Sequence, residues 1–274
     1  DTPTVVAADL NILDKNTTGT INADIVTTIE GLASDINIAY ASDGISKTNL
    51  GSETVNLTDL TVDAFNLNIL DSNNTTGTIN ASGVTTIIGS AFDINTAYGS
   101  TGITGLGDEN ITLDTSIVHA SDLNLLDSNT VGTINADIVT TIEGYASDIN
   151  IAYASDGIIK TNLGSETVIL HDLTVQASDL NALDTNNTSG TINASGVTTI
   201  TGLANDINIA YASDGIAGLG NESISLTDIT TSHGDIQILS SNTTGEINAD
   251  TVTEVTGTLE ELKITYRTKN IKNL

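Results

Sequence analysis

The chain has no cysteine, no methionine and no tryptophan, a single proline, and two phenylalanines among 274 residues. Each gap excludes something. Without thiols there can be neither disulfides nor thiolate metal sites. No run of eighteen apolar residues occurs, so no segment reads as a membrane-spanning helix. With large aromatics so scarce, the 38 % apolar content is almost all Ile, Leu, Val and Ala, which suits a core of small, regular pieces. The lack of methionine, with Asp1 first, reads as a processed or partial chain whose export signal, if it had one, is gone.

Basic residues are nearly as rare. Seven Lys and Arg against 35 Asp and Glu give a net charge of −28. Such a surface repels phosphate backbones and excludes nucleic acid as a partner. It favours solubility, saline surroundings or divalent cations. Four of the seven cations, Lys263, Arg267, Lys269 and Lys272, fall in the last twelve positions.

What the chain has in abundance is repetition. DLNILD at 9–14 returns as NLNILD at 66–71, DLNLLD at 122–127, DLNALD at 179–184 and DIQILS at 235–240, at spacings of 57, 56, 57 and 56. KTNLGSETV occurs at 47–55 and again at 160–168, whereas the alternate copies read TGLGDENIT and AGLGNESIS. A pair of units, 113 residues long, has therefore been duplicated. Each unit divides again, because AYASDGI stands at 39–45, 152–158 and 210–216, with AYGSTGI at 97–103. The basic coil is about 25 to 32 residues, giving nine coils and a fragment.

Ala33, Ile36 and Tyr40 fall at helical spacing, although Asp35 to Tyr40 could also alternate as a strand. GTLEELKITYRTKNI (257–271) aligns without gaps on GLASDINIAYASDGI (31–45), and its Thr258-x-x-Glu261 is a capping box. Helix is therefore the expectation for every copy. Gly44, Gly102, Gly157 and Gly215 would close these helices in a left-handed Schellman cap, with Asn270 in the fifth place. Strands follow in GTINA, in NITLD, where Ile111 and Leu113 share a face, and in VTTI, whose inward threonine the sequence does not identify. A coil of one short helix and two short parallel strands cannot bury its own apolar face, so successive coils must stack. The expected fold is an α/β solenoid, with an all-β solenoid as the alternative. At ~4.8 Å per coil, nine coils would make a rod roughly 45 Å long. The repeat domain covers 1–257, in units at 7–63, 64–119, 120–176, 177–232 and 233–257, and 258–274 is a basic terminal helix segment, a cap or an assembly interface.

Candidate chemistry is thin. Tyr40, Tyr98, Tyr153, Tyr211 and Tyr266 form a column that would seal the layer and send its hydroxyls to water; as a stacking strip it leaves carbohydrate open as a partner. Asn22, Asn80, Asn135, Asn193 and Asn248 would stack as an amide ladder. Asp14, Asp71, Asp127 and Asp184, each with an asparagine two places on, are oxygen ligands of the kind Ca²⁺ takes, but no calcium-loop spacing is present. No other cofactor is expected. His119, His171 and His233 do not share a repeat position, no phosphate-cradling loop occurs, and no catalytic residues are assigned. The chain is not expected to be an enzyme.

Taken together, DLNLLDSNTVGTINA, VTTIEG, ASDINIAYASDGI and GLGDENITL resemble the tandem repeats of very large secreted or surface proteins of bacteria, cyanobacteria among them. The resemblance covers residues 7 to about 257. It implies an extracellular or cell-surface location and a structural or adhesive role, and it carries over no functional residues. Assembly end to end into a fibre or surface layer is the leading expectation. Val5 and Val6 on the first coil would meet Lys263, Arg267, Lys269 and Lys272 of another copy. A monomeric adhesin stalk or binding module is the alternative.

Overall fold

The computed structural model describes residues 3–46, 50–159 and 163–274; Lys47 to Asn49 and Lys160 to Asn162, which open the two KTNLGSETV copies, lie outside. Ten helices occur among the described residues: α1 (Ala7–Asn16), α2 (Ala33–Ala41), α3 (Ala64–Asn73), α4 (Ala91–Gly99), α5 (Ala120–Asn129), α6 (Ala146–Ala154), α7 (Ala177–Asn186), α8 (Ala204–Ala212), α9 (His233–Asn242) and α10 (Leu259–Thr265). Each is short and begins within three residues of a strand's end, and parallel strands separate consecutive helices. The fold is an α/β repeat solenoid.

Two compact units divide the chain. The first comprises residues 1–115, 122–138 and 156–159; the second comprises 116–121, 139–155 and 160–274. The first contains two five-stranded parallel sheets. One runs Thr4–Val6, Thr28–Gly31, Thr54–Leu57, Thr78–Asn80, Ile103–Thr104, and the other starts at Thr61–Asp63 and ends at Ile158–Ile159. The second unit repeats this with sheets from Ile117–His119 to Ile216–Ala217 and from Thr174–Gln176 to Ile271–Lys272, plus a two-stranded pair, Thr230–Ser232 and Glu254–Thr256.

The core is a set of β-branched ladders. Val5, Ile29, Val55, Ile79 and Ile103 are opposite one another in one sheet, and Val118, Ile142, Val168, Ile192 and Ile216 in another. Ile111 and Leu113 do share the buried face. In VTTI the inward residues are the valine and the isoleucine, as Val26 and Ile29 illustrate. The first threonine of the run turns its hydroxyl to a carbonyl of the preceding coil: Thr85 donates to Leu60 at 2.9 Å and Thr198 to Leu173 at 2.9 Å.

Among the described residues the expected two strands per coil occupy five of the nine intervals between successive helices. Between α1 and α2 lie the Ile21 bridge and one strand, and three strands separate α4 from α5, α6 from α7 and α8 from α9. The ladder from Val5 to Ile103 thus spends 98 residues on five strands, whereas the first residues of α1 and α5, Ala7 and Ala120, differ by 113. Each five-stranded sheet therefore drifts along the chain. It begins on a strand just before a helix and ends on one just after a helix, where it stops.

Candidate functional site

The recurring polar residues become legible once the coils are stacked. In the helices the asparagine of D-[LI]-N reaches the next coil. Asn11 Nδ2 donates to the carbonyl of Asp35 at 2.9 Å, Asn37 to Asn66 at 2.9 Å, Asn68 to Asp93 at 2.9 Å, and in the second unit Asn150 to Asp179 at 3.1 Å, Asn181 to Asp206 at 2.9 Å and Asn208 to Asp235 at 3.1 Å. This amide row stitches helix to helix. The ladder expected from Asn22, Asn80, Asn135, Asn193 and Asn248 forms only in fragments, where Asn80 Nδ2 donates to Asn56 Oδ1 at 3.4 Å and Asn273 Nδ2 to Asn248 Oδ1 at 2.9 Å. The Oδ1 atoms of all five repeat asparagines accept the N–H two residues on, at 2.8 to 3.2 Å, as local turns.

The heptapeptide AYASDGI also has a different use from the one expected. None of Gly44, Gly102, Gly157, Gly215 or Asn270 adopts positive φ. The helix ends in extended backbone at Ser42, whose hydroxyl accepts the Gly44 N–H at 3.0 Å and donates to Asp14 Oδ2 of the preceding coil at 2.7 Å. Ser100 does the same between Gly102 and Asp71. Glycine leaves room for the aspartate: a Cβ on Gly102 would fall on Asp71 Oδ1, and one on Gly215 on Asp184 Oδ1, so either carboxylate would have to leave its place. In the last copy the aspartate becomes Ser240 and the glycine becomes Asn270, and Ser240 Oγ donates to Asn270 Oδ1 at 2.8 Å. A smaller side chain on one coil has allowed a larger one on the next.

The tyrosines point inward. Tyr40 donates to Glu53 at 3.0 Å, Tyr98 to Glu109 at 2.9 Å, Tyr153 to Glu166 at 3.2 Å and Tyr211 to Glu222 at 3.0 Å. All four glutamates are at most 2 % exposed. Their Oε2 also accepts backbone N–H groups, from Gly51 at 2.8 Å, Gly107 at 2.9 Å, Gly164 at 2.7 Å and Gly220 at 2.8 Å. Gly51 holds φ +104°, and a Cβ there would meet the Asn73 carbonyl at 2.7 Å. Burial first, and then the neighbouring carboxylate, push the Tyr40 and Tyr153 hydroxyls far above the usual tyrosine range, so they act as permanent donors. Tyr266 is 62 % exposed and does not belong to the column.

A third device caps helices from outside. α2, α6 and α8 begin after Leu32, Tyr145 and Leu203, which offer no side-chain cap. The carboxylates of Asp59, Asp172 and Asp228, each from the following coil, accept the N–H of Ala33 at 2.9 Å, Ala146 at 2.8 Å and Ala204 at 2.8 Å. Burial raises the carboxyl pKa of Asp59 and Asp172 in spite of these bonds.

These arrangements position structure, and the comparisons add no function to them. The chain matches no family model, no curated protein and no solved structure.

The remaining surface features are as follows. Val5 lies in the first ladder and Val6 is 44 % exposed beside it. Val5, Leu10, Leu13, Ile21, Ile25 and Val26 line a hollow of about 400 Å³ on the first coil, bordered by Asp24. Lys263, Arg267, Lys269 and Lys272 are all exposed, and Leu259, Ile264 and Tyr266 are exposed among them. The expected capping box closes α10: Glu261 Oε2 accepts the Thr258 N–H at 2.7 Å and Thr258 Oγ1 accepts the Glu261 N–H at 3.4 Å. The only two phenylalanines, Phe65 and Phe92, stand exposed at matching positions of α3 and α4.

Asp14 and Asp71 are engaged by serine hydroxyls, and Asn16 donates to the Ile12 carbonyl of its own helix at 2.8 Å. Among the described residues no group of three or more histidines and carboxylates, with the side chains as they are placed, is arranged to hold a metal ion. No described helix is long and apolar enough to cross a membrane.

Proposed function

We propose that this protein is a non-enzymatic structural repeat protein of the cell exterior, which assembles end to end into a fibre or surface layer. The observation that carries the reading is the complementarity of two unlike surfaces. The first coil offers an apolar hollow edged by Asp9 and Asp24. The α10 segment offers Leu259, Ile264 and Tyr266 exposed among four cations, on a chain that is otherwise strongly acidic. An α10 segment of one copy seated on the first coil of another would bury both, and such a heterologous contact propagates. The extracellular setting rests on the resemblance of the repeats and on a cysteine-free, acidic composition.

Sedimentation velocity and electron microscopy at moderate salt test this. Concentration-dependent fibres are expected, weakened as salt screens the charges. Replacing Lys263, Arg267, Lys269 and Lys272 together by Glu should abolish them, as should Leu13→Asp at the other surface. Dispersed particles of one chain at every concentration would refute assembly.

That outcome would favour a monomeric adhesin stalk or binding module. The self-contained capping box of α10 and its exposed Glu260–Lys263 ion pair of 2.7 Å support this second reading, because they are what a closing helix carries. Calcium stabilisation and carbohydrate binding belong with it. A melting temperature that is unchanged between calcium and chelator would remove the calcium part.

A further inference from the structure

Two of the three histidines stand where the repeat departs from itself. Val6, Asp63, His119, Gln176 and Ser232 occupy one repeat position, and Thr58, Asp114, His171 and Thr227 another. Separated by 52 residues of sequence, His119 and His171 meet in the second unit. His119 ends the strand Ile117–His119 and lies directly opposite Glu143 on the next strand, Thr141–Gly144. His171 follows the third strand, Thr167–Leu170, and its N–H donates to the Gly144 carbonyl at 2.9 Å. Three successive strands thus deliver two imidazoles and one carboxylate to the same outer face.

Both imidazoles approach one carboxylate oxygen without bonding to it. His119 Nδ1 is 4.0 Å and His171 Nε2 3.9 Å from the same atom, Glu143 Oε2, too far for hydrogen bonds. The rings are 5.9 Å apart, tilted by 57°. Zinc-like ions hold imidazole nitrogen at about 2.0–2.1 Å and carboxylate oxygen at about 2.0–2.2 Å, so tetrahedral ligands lie roughly 3.4 Å apart. As placed the three do not enclose an ion; closing each gap by about 0.5 Å brings both imidazole nitrogens to ligand spacing from Glu143 Oε2, and the two rings, with side chains 55 % and 43 % exposed, are free to turn by small torsional changes to complete the set. Imidazole selects against calcium and magnesium and in favour of borderline transition ions.

We propose that His119, Glu143 and His171 bind one divalent ion of the zinc, nickel or copper class, with water completing its shell. Such an ion would clamp three consecutive coils of one sheet. The proposal stands apart from the question of assembly.

Calorimetric titration of untagged protein with zinc chloride, and separately with nickel chloride, tests it. Expected is saturable binding of one ion per chain, weakened about tenfold or more in each of His119→Gln, His171→Gln and Glu143→Gln. His233→Gln should bind as the wild type does, because His233 Nδ1 lies 2.7 Å from Thr265 Oγ1, away from the cluster. Far-UV circular dichroism verifies that the variants, altered at half-exposed positions, keep the wild-type fold. No saturable binding at millimolar metal, or binding that persists undiminished in the His119→Gln/His171→Gln double variant, would overturn the proposal.

Discussion

Tyr153→Phe should destabilise the second unit measurably although it removes a single oxygen. The hydroxyl donates at 3.2 Å to Glu166 Oε2, which also accepts the Gly164 and Ser165 N–H groups at 2.7 and 3.1 Å. Tyr153 is 6 % and Glu166 2 % exposed, and the other carboxylate oxygen is buried without a partner among the described residues. Water cannot replace the lost donor. Hydrogen bonds to charged groups are worth about 1.5–3 kcal/mol net, and phenylalanine fills the same space, so the loss should be about 2 kcal/mol. Glu166→Leu should cost more, about 4 kcal/mol, because it orphans two buried donors at once, the Tyr153 hydroxyl and the Gly164 N–H, and a third at the more exposed Ser165. Urea unfolding followed by circular dichroism measures both. Tyr145→Phe is the control, since Tyr145 is exposed in the same unit. If Tyr153→Phe and Tyr145→Phe both stay within about 0.5 kcal/mol of the wild type, the buried pair does not contribute as argued.

Gly102→Ala should lower stability by more than the few tenths expected of an ordinary loop glycine, because the new methyl would meet Asp71 Oδ1; adding Asp71→Ala should recover much of the loss, and simple additivity in a double-mutant cycle would count against the contact. Stability should rise as the pH falls from neutrality towards the ordinary aspartate value of 3.8. The folded carboxyls of Asp59 and Asp172 bind protons more readily than the unfolded ones, so folding gains as pH descends through their raised values, completing the gain below the ordinary value of 3.8, and relief of the −28 charge adds to it. Glu261, whose pKa is lowered by its Thr258 bonds, works in the opposite direction at α10 alone. Thermal melts at constant ionic strength check this, and a midpoint that falls steadily from neutrality all the way to pH 3.8 would contradict it.

The repeat period was enough to place every helix, because ten copies of one pattern constrain each other and TLEELK could be only a helix. The same pattern could not say what its glycines were for. A glycine that ends a helix and one that vacates space for the next coil's aspartate look alike in one dimension, and only stacking separates Gly44 beside Asp14 from a Schellman cap. The buried glutamates had a visible signature: Gly51-Ser52-Glu53, Gly107-Asp108-Glu109, Gly164-Ser165-Glu166 and Gly220-Asn221-Glu222 keep glycine and glutamate while the residue between them changes. An acidic residue is ordinarily assigned to solvent, and that habit hid the partner of each tyrosine. Asn37 and its equivalents were hidden for another reason. Their acceptors are backbone carbonyls, which every sequence has. His119 and His171 were legible as departures from the repeat, but their meeting depends on which strands lie side by side.

The drift of each sheet along the chain governs how such a protein can grow. Because a ladder leaves the helices behind and stops at five strands, a further duplication of the 113-residue pair would extend the two-stranded pair Thr230–Ser232 and Glu254–Thr256, contribute fresh sheets beside it, and widen none of the five-stranded ones. Length can then increase while every open border stays two to four residues long, too short a seam for a stray misfolded chain to zip onto.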